Sequence, residues 1–595
     1  MREFSVPATS TVPDEFTLSD LVVDNAVQTP HRVQFRRQSD GHWQDVTCRD
    51  FLAEVSAVAK GLLASGVGAG DRVAIMSRTR YEWTLTDFAI WTAGAVCVPI
   101  YETSSAEQVE WILADSGAVA VFVELAAHAA TVEQVRGAAP ALTHVWTLDA
   151  DLEQLVQAGR PVSDTELEDR RRSVRADTLA TLIYTSGTTG RPKGCELSHR
   201  NFKAGTDSVA GALEGVFVPG QSTLLFLPLA HVFARAIEVG CVRSGVTMGH
   251  TADVANLLDD LAVFQPTFVL SVPRVFEKIF NGAQAKAAAD GHGRIFDRAA
   301  AVAISYSQGL DSGGPSVAVK VQHALFDRLV YSKLRDRLGG RVQYAVSGGA
   351  PLGERLGHFF RGVGVTILEG YGLTETTAGS TINSPHAISV GSVGQPIPGS
   401  GVKIADDGEV LLRGPHVFAG YWHNAEATDE AFEPDGWFRS GDLGELDDQG
   451  FLRITGRKKE IIVTAAGKNV APAVLEDRLR AHPLVSQCMV VGDNRPYIGA
   501  LVTLDREAVP GWLAAHGRPA DTAPADLATD PQVLADVQAA VDDANKAVSK
   551  AEAIKRFVVL PVDFTEEGGQ LTPTLKLKRA TVLLDFDQAV DSLYT

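Results

Sequence analysis

The chain contains the stretch Tyr184-Thr185-Ser186-Gly187-Thr188-Thr189-Gly190-Arg191-Pro192-Lys193-Gly194, which comes directly after the apolar run 179–183. The run predicts a buried strand, and the stretch after it is rich in small and hydroxylated residues. Small residues let the backbone approach a ligand, hydroxyl and N–H groups then face anionic oxygens, and Arg191 and Lys193 supply positive charge. We call residues 184–194 the phosphate loop, because this composition predicts binding of nucleotide phosphates.

The phosphate loop is not a Walker A loop. That motif requires Gly, four residues and then Gly-Lys-Ser or Gly-Lys-Thr, whereas Gly190 is followed here by Arg-Pro-Lys-Gly. A short Gly-rich run often only turns the chain. The length and order of this one favour nucleotide binding over a simple turn.

Residues 47–123 alternate between amphipathic helices and apolar strands. Thr47 and Asp50 are expected to cap a helix, and a second capping box is predicted at Ser104 and Glu107. Strands are expected at 72–76, 96–100 and 119–123. This β-α alternation predicts a parallel, doubly wound sheet with helices on both faces.

The remainder of the chain has two further textures. Residues 200–370 read as a second α/β stretch with a long helical segment at about 275–338, and Gly-containing turns after 390 predict a small antiparallel barrel or sheet. We therefore predict an α/β protein with a large N-terminal domain, residues 1–458, of two doubly wound α/β subdomains and a small β-barrel. A small α+β C-terminal domain, residues 459–595, is expected to follow.

Size, charge and cysteine content exclude several classes of protein. A chain of 595 residues needs more than one core. Its net charge of −19 argues against general nucleic-acid binding, which needs a basic face. The five cysteines lie far apart without a CxxC pair, which fits a reducing cytoplasm. Neither a signal peptide nor a membrane-spanning run is recognised, so we expect a cytoplasmic protein.

Further motifs follow the phosphate loop in order. Residues 369–376 are the most informative, because Tyr371 between two glycines can stack on a base and Glu375 is a hard oxygen ligand suited to Mg²⁺. Asp442 alone would be a turn-capping residue, and the cations at 457–459 alone a solvated face. The other motifs are Leu-Pro-Leu-Ala-His at 227–231, Ser-Gly-Gly-Ala-Pro at 347–351, Trp-Phe-Arg-Ser-Gly-Asp at 437–442, Gly-Arg-Lys-Lys-Glu at 456–460, and Leu-Thr-Pro-Thr-Leu-Lys-Leu-Lys-Arg at 571–579.

In order and approximate spacing, these motifs resemble the core motifs of the adenylate-forming superfamily. The superfamily comprises acyl-CoA synthetases, luciferases and peptide-synthetase adenylation domains, and the resemblance covers about residues 45 to 580. Three features look like the bacterial long-chain fatty-acid–CoA ligases in particular. They are residues 327–333 leading into 338–341, the turn at 467–472, and the ending at 571–576.

The resemblance implies a binding site for ATP and Mg²⁺. The residues around the β- and γ-phosphates would be Thr185, Ser186, Gly187, Thr188, Thr189, Gly190 and Lys193. Tyr371 would stack on adenine, Thr374 would bind the α-phosphate, and Glu375 would bind Mg²⁺. The other residues around adenine, ribose and α-phosphate would be Gly348, Gly349, Ala350, Gly372, Asp442 and Arg457.

The resemblance also implies how the acid and coenzyme A are handled. Lys576 would reach the carboxylate and the α-phosphate during adenylation, and His231 would line the carboxylate end of the acyl pocket. Gly467 would lie in a turn beside the pantetheine tunnel. Lys459 would be the hinge about which a mobile C-terminal domain swings. Two positions depart from the pattern: Ala466 stands where long-chain ligases are expected to have a second glycine, and Lys459 is basic where some members have Asp.

The implied reaction activates a long-chain fatty acid with ATP to acyl-AMP, releases pyrophosphate, and then transfers the acyl group to coenzyme A. Two enzymatic alternatives stay open: a fatty-acyl-AMP ligase that loads an acyl carrier protein, and a CoA ligase for another hydrophobic acid. An inert nucleotide-binding protein is disfavoured, because Glu375, Asp442, Arg457 and Lys576 are all present. Nucleic acid is not an expected partner. Peripheral contact with the inner face of the cell membrane and a homodimer also stay open.

Overall fold

The phosphate loop extends from a six-stranded sheet, which we call the first sheet. In this computed structural model, which describes residues 1–39, 41–185, 191–252, 256–572 and 575–595, its neighbouring strands are parallel except for the last pair. In spatial order the strands are His144–Thr147, Ala120–Val123, Arg72–Met76, Val96–Ile100, Leu179–Thr185 and Lys193–Ser198.

Helices cover both faces of the first sheet, as predicted. Successive residues of its strand Arg72–Met76 alternate between two hydrophobic cores: Val73 and Ile75 pack in one, Ala74 and Met76 in the other. This alternation is the period-two pattern of a strand buried on both sides. The helices in this part of the chain are Leu18–Gln28, Cys48–Ala64, Tyr81–Thr92, Ala106–Ser116, Ala126–Val135, Leu148–Ala158, Asp164–Arg172 and His199–Ala212.

The two predicted capping boxes have different outcomes. At the start of Cys48–Ala64 the Asp50 N–H donates to Thr47 Oγ1 at 3.2 Å, which confirms that prediction. The prediction at Ser104 and Glu107 is wrong by one residue, because the box is formed by Ser105 and Gln108. Ser104 with Glu107 and Ser105 with Gln108 both have the three-residue spacing of a capping box. The helix begins at Ala106, and from there its residues Val109, Ile112 and Leu113 reach the core.

A four-stranded and a five-stranded sheet lie side by side and are joined where the Thr267 N–H donates to Ser222 O at 2.9 Å; we call the pair the second sheet. Its residues also alternate between two cores, with Phe268 and Leu270 in the core shared with the first sheet and Val269 in another. One group contains Ser222–Leu225, Thr247–His250, Val33–Ser39 and His42–Thr47, and the other contains Phe268–Ser271, Tyr344–Ser347, Thr366–Tyr371, Thr381–Ile382 and Gln395–Pro396.

The long helical segment of this half is divided into separate helices. The predicted break near Gly313 is present, and a π-turn, Asp327–Tyr331, follows the next helix. The helices between residues 232 and 363, including those before and after this segment, are Val232–Ser244, Leu257–Phe264, Pro273–Ala289, Gly293–Asp311, Val317–Phe326, Ser332–Arg337 and Glu354–Val363.

The small β unit after residue 390 is a five-stranded antiparallel sheet, which we call the small sheet. One of its edge strands, Glu3–Ser5, comes from the chain start and pairs with Gly401–Ile404, and it was not predicted. The helix Ala425–Ala431 lies beside this sheet. The strands in order are Glu3–Ser5, Gly401–Ile404, Glu409–Arg413, Phe438–Leu446 and Leu452–Arg457.

The last part of the chain forms an α+β unit with hydrophobic cores of its own, which we call the C-terminal unit. Its strands are Ile462–Val463, Asn469–Val470, Val485–Val491, Ile498–Leu504 and Ile554–Val559. Its helices are Pro472–Arg480, Val509–Ala515, Pro524–Thr529, Pro531–Asn545, Arg579–Asp585 and Asp587–Ser592. Across the described ranges of the whole chain, every helix is too short or too polar to cross a bilayer.

Candidate active site

The two ends of the phosphate loop lie on paired strands. Thr185 is directly opposite Lys193 in the antiparallel pair, and residues 186–190, which include five predicted phosphate ligands, lie outside the described residues. Lys193 Nζ lies 4.9 Å from the ring centroid of Tyr421. Thr185 Oγ1 lies 4.0 Å from Cys195 Sγ. The hairpin thus places a hydroxyl and an ammonium at the mouth of the predicted phosphate site.

Glu375 is held beside the phosphate loop by Tyr421, a residue that sequence reasoning missed. The Tyr421 hydroxyl donates to Glu375 Oε1 at 2.8 Å, and the Phe418 N–H donates to the backbone oxygen of Glu375 at 2.7 Å. The same tyrosine ring faces Lys193. Its signal in the sequence was weak, because a tyrosine after a glycine is common. Tyr421 therefore links the predicted magnesium ligand to the predicted phosphate ligand.

Gly372 makes the tight turn that brings Thr374 and Glu375 back towards the site. A Cβ at Gly372 would lie 2.0 Å from the Ala378 oxygen, so a larger residue cannot fit without moving the backbone. Thr374 and Glu375 form a single 3₁₀ turn, Thr374–Thr376, after the strand Thr366–Tyr371. Glycine at position 372 is thus a geometric requirement of this turn.

Tyr371, Asp442 and Arg457 form one hydrogen-bonded group. The Tyr371 hydroxyl donates to Asp442 Oδ2 at 2.6 Å, and Arg457 Nε donates to Asp442 Oδ1 at 2.8 Å. Asp442 and Arg457 are direct partners on neighbouring strands of the small sheet. Burial and the Asp442 charge raise the pKa of Tyr371 well above its ordinary value, so its hydroxyl keeps its proton. Each Asp442 oxygen retains a second lone pair that can accept a hydrogen bond from a ligand.

The segment that follows the Gly348–Gly349 turn is held by a hydrogen bond to Glu369. The Leu352 N–H donates to Glu369 Oε1 at 3.0 Å, and burial raises the pKa of this carboxyl to about 7. Gly349 has φ of +84°, a conformation that favours glycine. A Cβ at Gly348 would lie 3.4 Å from the Phe233 ring, which places this turn next to the segment that carries His231.

His231 is the N-cap of the helix Val232–Ser244. Its Nδ1 accepts a hydrogen bond from the Phe233 N–H at 3.2 Å. Burial and then the charge of Lys576 lower the pKa of His231 to about 3, so the ring is neutral at neutral pH. Because Nδ1 accepts, the proton of the neutral ring is on Nε2, which can donate to a carboxylate.

Lys576 of the C-terminal unit lies among the predicted ligands of the N-terminal part. It keeps contact with solvent in the cleft, yet the surrounding protein and the charge of Arg457 lower its pKa, while Asp442, Glu375 and Glu460 act in the opposite direction. The loop around it is closed by hydrogen bonds between Thr572 and Lys576, in both directions, at 2.8 and 3.0 Å. The ammonium therefore lies close enough to Arg457, Asp442 and Glu375 for their charges to act on it.

Three predicted site residues lie outside the group of side chains described above. Ala350 is exposed on the turn after Gly349. Gly467 is exposed, with φ of +76°, in a turn of the C-terminal unit, and no contact within the described ranges joins it to the residues above. Lys459 is exposed in the 3₁₀ turn Lys458–Glu460 between the small sheet and the C-terminal unit. Lys459 thus lies on the stretch that connects the small sheet to the C-terminal unit, and Gly467 lies within that unit.

Residues 22–422 match the family model described as AMP-binding enzyme, and residues 459–595 match that of the AMP-binding enzyme C-terminal domain. The chain belongs to the AMP-binding enzyme family. It is 53% identical, over 100% of both chains, to proteins named long-chain-fatty-acid–CoA ligase FadD15 from Mycobacterium bovis and Mycobacterium tuberculosis.

Solved structures support the fold. The anthranilate–CoA ligase AuaEII in complex with anthranoyl-AMP has a TM-score of 0.74 at 20% identity, covering 98% of this chain and 99% of that one. The o-succinylbenzoate–CoA synthetase of Bacillus subtilis, in complex with ATP and magnesium, has a TM-score of 0.67 at 21% identity, covering 94% and 98%. At these identities the similarity concerns the fold, which confirms the predicted architecture.

The donor set at the site suits Mg²⁺ bound together with phosphates. In the part of the chain that the structure describes, no cluster of three or more His, Cys, Asp or Glu could hold a metal by protein ligands alone. Mg²⁺ is commonly held by one or two carboxylates plus phosphate oxygens and water. Glu375 fits such a shared site, because one of its oxygens accepts a hydrogen bond from Tyr421 and Lys193 lies against the same tyrosine ring.

Proposed function

We propose that the protein is a long-chain fatty-acid–CoA ligase. A fatty acid and ATP give acyl-AMP and pyrophosphate, and the thiol of coenzyme A then displaces AMP to give acyl-CoA. The observation that carries the proposal is the position of Lys576, which lies close enough to Arg457, Asp442 and Glu375 for their charges to act on its ammonium. The 53% identity to proteins named long-chain-fatty-acid–CoA ligase supports the choice of acid.

In the first step the fatty-acid carboxylate attacks the α-phosphorus of ATP, and pyrophosphate leaves. The carboxylate and the α-phosphate are both anionic, so the site must hold them together against their repulsion. The Lys576 ammonium would donate to both, and Nε2–H of neutral His231 would donate to the carboxylate. Thr374 would donate to the α-phosphate. Catalysis is then mainly positioning and charge stabilisation.

The remaining ligands bind the nucleotide. Asp442 would accept hydrogen bonds from the ribose while Tyr371 and Arg457 hold it in place. The phosphate loop, with Lys193, would bind the leaving pyrophosphate. Mg²⁺ bound at Glu375 would neutralise charge on the phosphates.

The second step needs room for the thiol where Lys576 stands, so the C-terminal unit must move. The contacts around the connector support a pivot at Lys459. Lys458 pairs with Asp407 and Glu409 of the N-terminal part, at 2.6 and 3.0 Å, whereas Glu460 lies 3.8 Å from Arg579 of the C-terminal unit. Within the described ranges no ion pair involves Lys459. We therefore place the domain boundary between residues 458 and 459, with Gly467 brought to the coenzyme A site by the motion.

Location and assembly are finer parts of the proposal. A cytoplasmic enzyme in peripheral contact with the inner face of the cell membrane fits a substrate whose aliphatic chain partitions into lipid. A homodimer is the assembly to test, by sedimentation velocity of the purified protein.

The decisive experiment is mass spectrometry of the products after incubation with MgATP, coenzyme A and competing acetate, octanoate, palmitate, oleate and benzoate. We expect palmitoyl-CoA and oleoyl-CoA together with AMP. Acyl-AMP without any thioester would instead identify an enzyme that loads a carrier protein. Benzoyl-CoA or acetyl-CoA as the main product would reject the long-chain acid, and no product would reject the activity.

A further inference from the structure

The helix Val317–Phe326 and the π-turn after it expose a row of apolar side chains. The exposed fractions are 77% for Val317, 66% for Val321, 56% for Leu325 and 50% for Leu329. Side chains four residues apart lie along one side of a helix. Single exposed apolar residues are ordinary, whereas a continuous row marks an interaction surface. We call these four residues the apolar row.

The opposite side of this helical stretch already anchors it to the protein. The Tyr331 hydroxyl donates to Ala299 O at 2.7 Å, and Nε2 of His323 donates to Gly362 O at 2.6 Å. The His323 ring also stacks on Tyr306, with 3.9 Å between ring centroids. Phe326 and Tyr331 are buried in the core of the second sheet. The apolar row is therefore not needed to hold the helix in place.

Cations lie beside the apolar row on a protein that is otherwise acidic. Lys320, Arg328 and Lys333 are exposed, and none of them has an ion-pair partner among the residues that the structure describes. The nearby carboxylate of Asp327 is paired with Arg335 at 2.7 Å. Because the whole chain has a net charge of −19, three unpaired cations around an apolar row form a distinct local surface.

We propose that this surface docks onto a lipid bilayer that contains anionic lipids. The apolar row enters the headgroup region, and Lys320, Arg328 and Lys333 contact lipid phosphates, which is the pattern of an interfacial helix. The inference rests on the proposed function, since a bilayer is where a long-chain fatty acid is found. A second copy of this chain fits less well, because a twofold axis would bring the same cations together.

Packed helices connect the surface to the candidate active site. The helix Val317–Phe326 packs on Gly293–Asp311, which packs on Glu354–Val363. That contact is close, because a Cβ at Gly362 would lie 2.1 Å from the Ala303 oxygen. The helix Glu354–Val363 follows the turn that contains Gly348 and Gly349. Docking would therefore fix the orientation of the active-site cleft relative to the membrane.

Vesicle co-sedimentation of the full-length protein tests the surface. We compare vesicles of phosphatidylcholine alone with vesicles that also contain phosphatidylglycerol. Wild type should sediment with the mixed vesicles, and the double variant Val321→Ser/Leu325→Ser should lose most of that binding. Lys320→Gln/Arg328→Gln should weaken binding by about 25-fold, from roughly five-fold per cation. The matched control is Val27→Ser, an equally exposed valine (74%) on the helix Leu18–Gln28, which should bind like wild type.

Three results would overturn the proposal. They are wild type that fails to sediment with mixed vesicles, row variants that sediment as wild type does, and row variants that only convert a dimer to a monomer in sedimentation velocity. Thermal unfolding of each variant verifies its fold. Acyl-CoA formation from soluble octanoate, measured without vesicles, should be equal in wild type and row variants. If wild type binds vesicles but forms no acyl-CoA from any acid, the proposed function fails while the docking surface stands.

Discussion

The two sides of the cleft are held in different ways. On the N-terminal side, direct hydrogen bonds fix the ligands: Tyr371 and Arg457 both donate to Asp442, and Tyr421 donates to Glu375. On the C-terminal side, Lys576 lies in a loop where Leu575 has φ of +60°, and within the described ranges no ion pair holds its ammonium. One side is preorganised, whereas the other is positioned by the placement of a whole unit.

In the proposed mechanism, the residues fixed on the N-terminal side are needed in both reaction steps, whereas Lys576 on the C-terminal side is needed only in the first. The AMP portion must stay bound from adenylation until the thioester forms, so its ligands belong on a fixed scaffold. In the mechanism that we propose, Lys576 helps the first step and would obstruct the second if it stayed in place. Placing it on a unit joined by one exposed connector lets it leave without disturbing the nucleotide.

The largest expected effect comes from removing the Lys576 ammonium on the C-terminal side of the cleft. Lys576→Ala should reduce ATP–pyrophosphate exchange by about 10²- to 10³-fold, because a charge that stabilises the transition state is lost. Thioester formation from supplied acyl-AMP should be largely retained. Lys578→Ala, two residues away, is the matched control and should retain exchange. Equal losses in both steps would contradict the division between the two sides.

The fixed side should instead affect both steps. Asp442→Asn cannot accept from both Tyr371 and Arg457 as the carboxylate does, so both half-reactions should slow by about 10- to 100-fold, from about 1.5–3 kcal/mol per hydrogen bond to a charged group. Separate assays of exchange and of thioester formation measure this. Asp406→Asn, an exposed partner of Arg2, should change neither. A loss confined to exchange would show that Asp442 serves only the first step.

The connector should affect the second step alone. Lys459→Pro restricts φ and removes an N–H, so the C-terminal unit should turn less freely. We expect normal exchange and a thioester step slowed about 10-fold, in single-turnover assays. Lys459→Ala is the matched control, because it removes the charge without restricting the backbone. Unchanged turnover of the proline variant would exclude a pivot at this residue.

The smallest effect should come from the contacts that hold the two units together. Arg274 pairs with Asp505 at 2.9 Å and is mostly buried, whereas Lys278 pairs with Glu507 at 2.7 Å in solvent. Arg274→Gln should reduce exchange about 3- to 10-fold, since fewer molecules would adopt the arrangement with Lys576 in the cleft. Lys278→Gln should have almost no effect, because exposed pairs contribute about 0–1 kcal/mol. Equal effects of the two variants would show that this pair does not stabilise the arrangement.

Sequence pattern predicted the α/β architecture because each local signal agreed with the global fold. The helix Cys48–Ala64 had both a capping box and a continuous apolar face, and the strand Arg72–Met76 was short and apolar after its first residue. The edge strand Glu3–Ser5 escaped notice, since three residues have no period and its partner, Gly401–Ile404, is remote in sequence.

Side-chain contacts between distant segments could not be predicted. Glu375 was recognised from its motif, but nothing local indicated that Tyr421 would hold it or that Arg274 would meet Asp505. The apolar row was hidden for another reason. A helix with apolar residues at every fourth position has the same sequence period whether that side faces the core or the solvent, so only the structure shows that Val321 and Leu325 point outward.

The pairing of the strand Glu3–Ser5 with a remote segment constrains the order in which the molecule folds during synthesis. It is synthesised before the strands that it pairs with, and the small sheet that it completes also supplies Asp442 and Arg457. Met1 and Leu446, whose backbone oxygen accepts a hydrogen bond from the Met1 nitrogen, are 445 positions apart. At about 5–20 residues per second, the segment Glu3–Ser5 is made roughly 20–90 s before the last strands of this sheet. The small sheet, which carries Asp442 and Arg457, is thus complete only when segments from the two ends of the N-terminal part have paired. A bulky protein fused at Met1 would therefore destabilise the small sheet, with which the first residues pair.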